Sequence, residues 1–185
     1  MPVRLSAVVV LALASLGCAA PAEPPPSGPE SVFLLVRHAE KVDQTDESPL
    51  TEVGQARAET LARMLRDAGV DGIYSSDFRR TRDTAAPLAR ELGLEVALYD
   101  TDGLPELADA LLSSPGRYLV VGHSNTTPEL AGLLGGDPGS PISEDEYDRL
   151  YVVHRRPGSD GTTLILRFEP GSDVLTEDDP DAADL

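Results

Sequence analysis

The chain predicts an α/β domain, a three-layer α/β/α sandwich around a mostly parallel sheet. Two observations carry that expectation. Short, almost unbroken apolar runs alternate with stretches of three- and four-residue apolar spacing, as buried parallel strands alternate with the helices that cover them. The last two apolar runs are joined by Pro157-Gly158-Ser159-Asp160-Gly161, a hairpin turn that adds a strand pair to the sheet.

The elements follow in order. Val32-Phe33-Leu34-Leu35-Val36 reads as the first strand, and a polar loop over 39–50 leads to a helix near 52–68. That helix carries Val53, Ala56, Leu61, Met64, Leu65 and Ala68, with Thr51 as N-cap and Gly69 as its stop. A short strand, 70–74, passes through Ser75-Ser76-Asp77 into a second helix at 78–92, ended by Gly93. Pro87 lies inside that helix and predicts a kink or a break. Strand 94–99, a helix near 105–113, strand 117–122 and a helix near 127–134 come next, before the final strands at 150–154 and 162–168. Alternation of this kind gives a sheet covered on both faces.

The ends of the chain read differently. Arg4, the apolar stretch Ala7 to Leu16 and the small residues Gly17-Cys18-Ala19-Ala20 read as an export signal over 1–18, too short for a transmembrane span. Ser15-Leu16-Gly17-Cys18 resembles a bacterial lipobox, although Ser15 stands where leucine is usual. Cys18 would then be lipidated and would attach the protein to a membrane. Ordinary cleavage after Ala20 is the alternative, and both place the domain outside the cytoplasm, in the periplasm, on the cell envelope or secreted. The lipoprotein reading is preferred because it gives the single cysteine a purpose. Residues 19–30 form a proline-rich spacer, 31–170 the folded domain, and 171–185 an acidic tail with no basic residue, expected to be solvated and disordered. The formal charge of −17 excludes nucleic acid or anionic lipid as a partner of the overall field. No oligomeric state follows from the pattern.

The chemistry gathers at strand ends. Two of the three histidines, His38 and His123, each follow a buried strand, and ligands of open α/β sheets bind outside the carboxyl ends of the strands. The same ends deliver Arg37, Glu40, the Ser75 to Arg82 loop, Asp100-Thr101-Asp102 and Ser124-Asn125. Cations and imidazoles cluster on one edge of an acidic protein, which suits an anionic ligand. The arginines near a helix start add to its free N–H groups, a phosphate-binding combination.

Four segments then carry a resemblance. Arg37-His38-Ala39-Glu40 resembles the Arg-His-Gly-Glu signature of the histidine phosphatase superfamily, which includes the phosphoglycerate mutases. Leu50-Thr51-Glu52-Val53-Gly54-Gln55-Ala56 is similar to its Leu-Thr-x-x-Gly segment. Ser75 to Ala85 is similar to its Ser-Ser-Pro-x-x-Arg-Ala-x-x-Thr-Ala block, and Val121-Gly122-His123 to its Val-Gly-His. Ala39 departs from the usual glycine and Asp77 from the usual proline. The resemblance implies that His38 is the nucleophile, taking the phosphoryl group as phosphohistidine, and that Arg37, Arg80 and His123 form the phosphate pocket. It also implies a general acid after the third strand. Asp100 is the first candidate, Glu106 its competitor through Leu104-Pro105-Glu106, and Asp102 the third.

The implied activity is a metal-independent phosphatase acting on a small phosphomonoester without a cofactor. The alternatives are a phosphoglycerate mutase-like phosphotransferase, a phosphohistidine-protein phosphatase, or a non-catalytic phospholigand-binding protein. A zinc site is not expected, since there is no His-Glu-x-x-His and no cysteine pair. His154 has no motif around it, and Arg79 and Arg82 read as partners of Asp83 and Asp77. Substrate choice would lie with the 39–50 loop, the region 100–106 and the rim stretch 136–149.

Overall fold

A computed structural model describes residues 28–171. The leader with Cys18, most of the proline-rich spacer and residues 172–185 of the acidic tail lie outside the described residues. The elements run β1 (Ser31–Arg37), α1 (Glu52–Leu65), β2 (Gly72–Ser76), α2 (Arg79–Leu92), β3 (Val96–Tyr99), α3 (Leu104–Ser113), β4 (Arg117–Gly122), α4 (Thr126–Leu133), β5 (Arg149–Arg155) and β6 (Thr162–Arg167).

They build one six-stranded sheet in the order β3-β2-β4-β1-β5-β6. The β1/β4, β2/β4 and β2/β3 pairs are parallel, and β5 is antiparallel to both neighbours. Adjacent residues of β1 serve opposite cores. Phe33 and Leu35 face a cluster with Leu104, Leu111, Leu130 and Tyr151, whereas Leu34 and Val36 face Leu61, Leu65, Leu88 and Leu150. Burial on both faces is why β1 and β4 read as continuous apolar runs rather than alternating ones. Helices α1 and α2 cover one face, α3 and α4 the other. The α/β sandwich expected from the sequence is therefore the fold.

Caps account for two of the helix boundaries. Thr51 accepts from the Gly54 N–H at the start of α1, and Gly93 closes α2 with φ +67°. Two local expectations differ. Helix α1 ends at Leu65, short of Gly69, because the Ala68 N–H turns back to the Leu65 carbonyl in a tighter turn before Gly69 takes φ +67°. Pro87 does not break α2, which runs unbroken through it. Proline removes one backbone donor, and the buried Ala85, Leu88 and Ala89 hold the helix to the sheet across that gap.

The topology fixes where a ligand can bind. After β1 the chain crosses to the α1/α2 face, and after β4 it enters α4 on the other face, yet β1 and β4 are neighbours. Their carboxyl ends therefore border the crevice where the connections diverge.

Candidate active site

His38 leaves β1 and His123 leaves β4 at that crevice, and their rings stand 5.4 Å apart, tilted by 67°. Local backbone bonds set both. The His38 N–H donates to the Gly122 carbonyl, and the Ala39 N–H to Thr84 Oγ1 on α2. The His123 N–H donates to Thr126 Oγ1 in α4. Gly122 is a glycine for a steric reason: a Cβ there would lie 2.7 Å from Thr126 Oγ1 and 2.9 Å from the Tyr99 hydroxyl.

His38 is 3% exposed, and its Nδ1 lies 2.8 Å from the Ala39 carbonyl oxygen. A carbonyl only accepts, so Nδ1 carries the hydrogen and Nε2 the lone pair. Burial lowers its pKa to about 3 against the raising pull of the Ala39 carbonyl, with smaller lowering contributions from the charges of Arg37, His123 and Arg80. The ring is thus neutral and held in one tautomer at neutral pH, with a lone pair on Nε2 that can act as a nucleophile. His123 is lowered to about 4, again by burial first and then by Arg80, Arg37 and Lys41. Its Nε2 meets Ser76 Oγ at 2.9 Å. When the Ser76 hydroxyl donates to Nε2, Nδ1 bears the hydrogen and can donate to a ligand.

Two guanidinium groups complete the centre. Arg37 is 5% exposed, and its Nη1 donates to the carbonyls of Ser143, Glu144 and Glu146 at 2.8, 3.0 and 2.9 Å. Its plane lies over Tyr147, 4.1 Å from the ring centroid. Arg80 stacks 4.4 Å above Phe78, and its Nη1 reaches the Thr45 carbonyl at 3.3 Å. The Nε atoms of Arg37 and Arg80 are both buried without a hydrogen-bond partner. Buried donors are nearly always satisfied, so two orphaned Nε atoms beside the same imidazoles mark an anion site. Each Nε–Nη2 edge has the spacing of a bidentate oxyanion fork.

These groups line a cavity of about 300 Å³ with Lys41, Phe78, Thr101, Ser124, Asn125, Thr126 and Glu144. Arg37, His38, Arg80 and His123 are brought together. Asp100, Asp102 and Glu106 are not among the lining residues. Asp100 instead receives the Asp102 N–H at 3.0 Å and borders a neighbouring depression with Asp77 and Leu98. Glu106 is an exposed residue in the first turn of α3, its carboxylate beside Gly103.

Other residues take structural parts. Glu40 is held by Arg57, whose Nε and Nη2 reach both its carboxylate oxygens at 2.7 to 3.1 Å, while Nη1 donates to the Phe168 carbonyl. Arg82 pairs with Asp77 and Arg79 with Asp83, as their spacing suggests. His154 meets Glu30 at 2.8 Å at the far end of β5. Ala39 is buried with Leu50 and Ala58, so its methyl has a packed place.

Sequence reasoning placed the stretch 136–149 at the rim but singled out no residue in the wall made by residues 143–147. Its contribution is mainly backbone carbonyls, which leave no mark on residue type. The buried Arg149 shapes that wall from behind, pairing with Glu146 and donating to the Ser140 and Pro141 carbonyls. An arginine opening the apolar run Leu150-Tyr151-Val152-Val153 was the available signal. Among the described residues no cluster of three or more His, Cys, Asp or Glu side chains could hold a metal ion.

The family model described as histidine phosphatase superfamily (branch 1) matches residues 33–110. A Photorhabdus laumondii protein named "Probable phosphoglycerate mutase GpmB" is 35% identical over 132 residues, 65% of this chain. The chain spans 58% of the length of that curated relative. A mycobacterial glucosyl-3-phosphoglycerate phosphatase shares the fold with a TM-score of 0.59 at 16% identity, over 76% of this chain and 99% of that one. The protein histidine phosphatase SixA, solved with tungstate, does so with a TM-score of 0.61 at 16% identity, over 75% and 97%.

Proposed function

We propose that this chain, which matches the histidine phosphatase superfamily model over residues 33–110, is a metal-independent phosphatase that hydrolyses a phosphomonoester through phosphohistidine at His38. The observation that carries this reading is the free Nε2 lone pair of His38 beside two guanidinium groups with unsatisfied Nε donors. The forks of Arg37 and Arg80 hold the phosphoryl oxygens, and His123 donates to the same group. His38 Nε2 attacks phosphorus, and the leaving oxygen departs in line. The transferring group spreads charge over its oxygens, where fixed donors in a buried site stabilise it most. Water then attacks the phosphohistidine and returns His38 to its starting form, so one difficult hydrolysis becomes two easier transfers.

The test is hydrolysis of an aryl phosphate with and without a chelator, alongside His38→Ala. Expected are chelator-insensitive turnover, an acid-labile phosphoryl adduct on the native protein, and loss of both in the variant by several orders of magnitude. Phosphate binding without turnover would favour a non-catalytic binding protein. Transfer of the phosphoryl group to an added sugar or glycerate acceptor in preference to water would favour the mutase-like reading. We further propose an exported protein lipidated on Cys18, resting on the sequence of residues 1–20. Incorporation of labelled palmitate that disappears in Cys18→Ser supports it, and unlabelled native protein overturns it.

A further inference from the structure

The proposed reaction needs a group that gives a proton to the leaving oxygen and takes one from the attacking water. The carboxylates that follow β3 stand outside the cavity lining. Among the described residues that do line it, Glu144 is the single carboxylate, facing Arg37, His38, Lys41, Arg80 and His123. We propose that Glu144, on the loop that enters β5, is the general acid and base of this site. The proposal rests on the phosphatase reading and gives it its missing proton carrier.

Three observations support the assignment. The backbone at Glu144 is anchored, because its carbonyl accepts from Arg37 Nη1 at 3.0 Å between the similar bonds from Ser143 and Glu146. Its side chain is 91% exposed, with Oε2 3.6 Å from Arg37 Nη2. An anchored backbone with an exposed carboxyl lets the group swing over the cavity while its origin stays fixed. Arg37 Nη2 also belongs to the edge offered to the phosphoryl group. A bound phosphoryl dianion therefore competes with the Glu144 carboxylate for the same guanidinium.

The steps balance. His38 Nε2 forms a bond to phosphorus, the ester P–O bond breaks, and the leaving oxygen takes the Glu144 proton, giving an alcohol, phosphohistidine and the Glu144 carboxylate. Water then forms the new P–O bond and gives a proton to that carboxylate. The P–N bond breaks, its electron pair returns to Nε2, and inorganic phosphate and protonated Glu144 result.

Leaving groups separate proton transfer from other roles. A nitrophenolate departs without a proton, and an alkoxide does not. Glu144→Gln of the full chain should lower kcat/KM for an alkyl phosphate by about 100-fold or more, within the usual range of general acid catalysis. With nitrophenyl phosphate the same variant should release a burst of about one equivalent at close to the native rate. It should then turn over slowly, with phosphohistidine accumulating. Native-like alkyl phosphate turnover in Glu144→Gln would overturn the proposal. So would an equal loss of burst rate and alkyl activity, which would mean that Glu144 only positions Arg37. A leaving-group-selective loss in Asp100→Asn or Glu106→Gln with none in Glu144→Gln would move the role to those residues. Failure of the native protein to form phosphohistidine at His38 would instead sink the phosphatase reading itself.

Discussion

Replacing Gly54 with alanine is expected to damage both stability and catalysis, against the ordinary expectation for a helix. A glycine-to-alanine change inside α1 would by propensity alone stabilise by at most about 1 kcal/mol. At this position a Cβ would sit 2.3 Å from the Glu40 carbonyl oxygen and 3.1 Å from its carbonyl carbon and amide nitrogen. The helix and that carbonyl must separate by at least about 0.7 Å to reach even the 3.0 Å floor of real Cβ contacts. The carbonyl also accepts the Thr51 N–H at 2.9 Å, a bond the shift would stretch. Overpacking of this sort costs about 1–3 kcal/mol, and a weakened hydrogen bond about 1 kcal/mol more. The net is a destabilisation of roughly 1–3 kcal/mol, read as a fall in Tm of about 3–10 °C. Glu40 lies two residues beyond His38, so the strain reaches that imidazole. A displacement approaching 1 Å predicts a kcat loss of about 10- to 100-fold. Thermal melts and steady-state assays on the purified variant check both numbers. A Tm at or above native with unchanged kcat would refute the reasoning, because it would mean that α1 and the His38 loop are not in rigid contact.

Three further outcomes are expected. Arg57→Ala leaves the Glu40 carboxylate and the Phe168 carbonyl without their partner, so denaturant unfolding should lose about 3–5 kcal/mol; a loss under about 1 kcal/mol would show that the pair is freely hydrated. Arg80→Lys keeps the charge but removes the planar fork, so kcat/KM for an aryl phosphate should fall by about 10-fold or more; native activity would deny bidentate contact. The buried His38 has its pKa lowered to about 3, so the unfolded chain binds the extra proton as pH falls below about 6.5. Its contribution to stability is therefore full at neutral pH and declines toward pH 3, by about 2 kcal/mol at pH 5. Urea titrations of native protein and His38→Ala at pH 7 and pH 5 should differ by that amount, and identical pH slopes would exclude it.

What was legible in the chain follows from which interactions residue type encodes. The strands β1 and β4 were plain because burial on both faces forces an unbroken apolar run. His38, Arg37, Arg80 and His123 were legible because each stands at a strand end or helix start where the side chain itself lines the shared cavity. Asp100 was misleading for the same reason. It occupies a strand end, but β3 is the sheet edge and its carboxylate turns to the Asp102 N–H instead of the cavity. Glu144 and Tyr147 were illegible because their placement depends on β5 pairing antiparallel to β1, a choice that local pattern does not announce. The early end of α1 turned on a single tighter turn, and the continuity of α2 through Pro87 on packing that propensity ignores.

The reversed direction of β5 has a further consequence. Val36 pairs with Leu150, so β5 begins where β1 finishes, and the segment before it arrives beside the nucleophile. A parallel strand in that slot would have started at the opposite pole of the sheet. Within the connecting segment 135–148, Glu144 thus lines the cavity while owing little to the sheet's own register. Length and composition there can drift, and with them the molecules admitted, while the frame that aims His38 stays untouched.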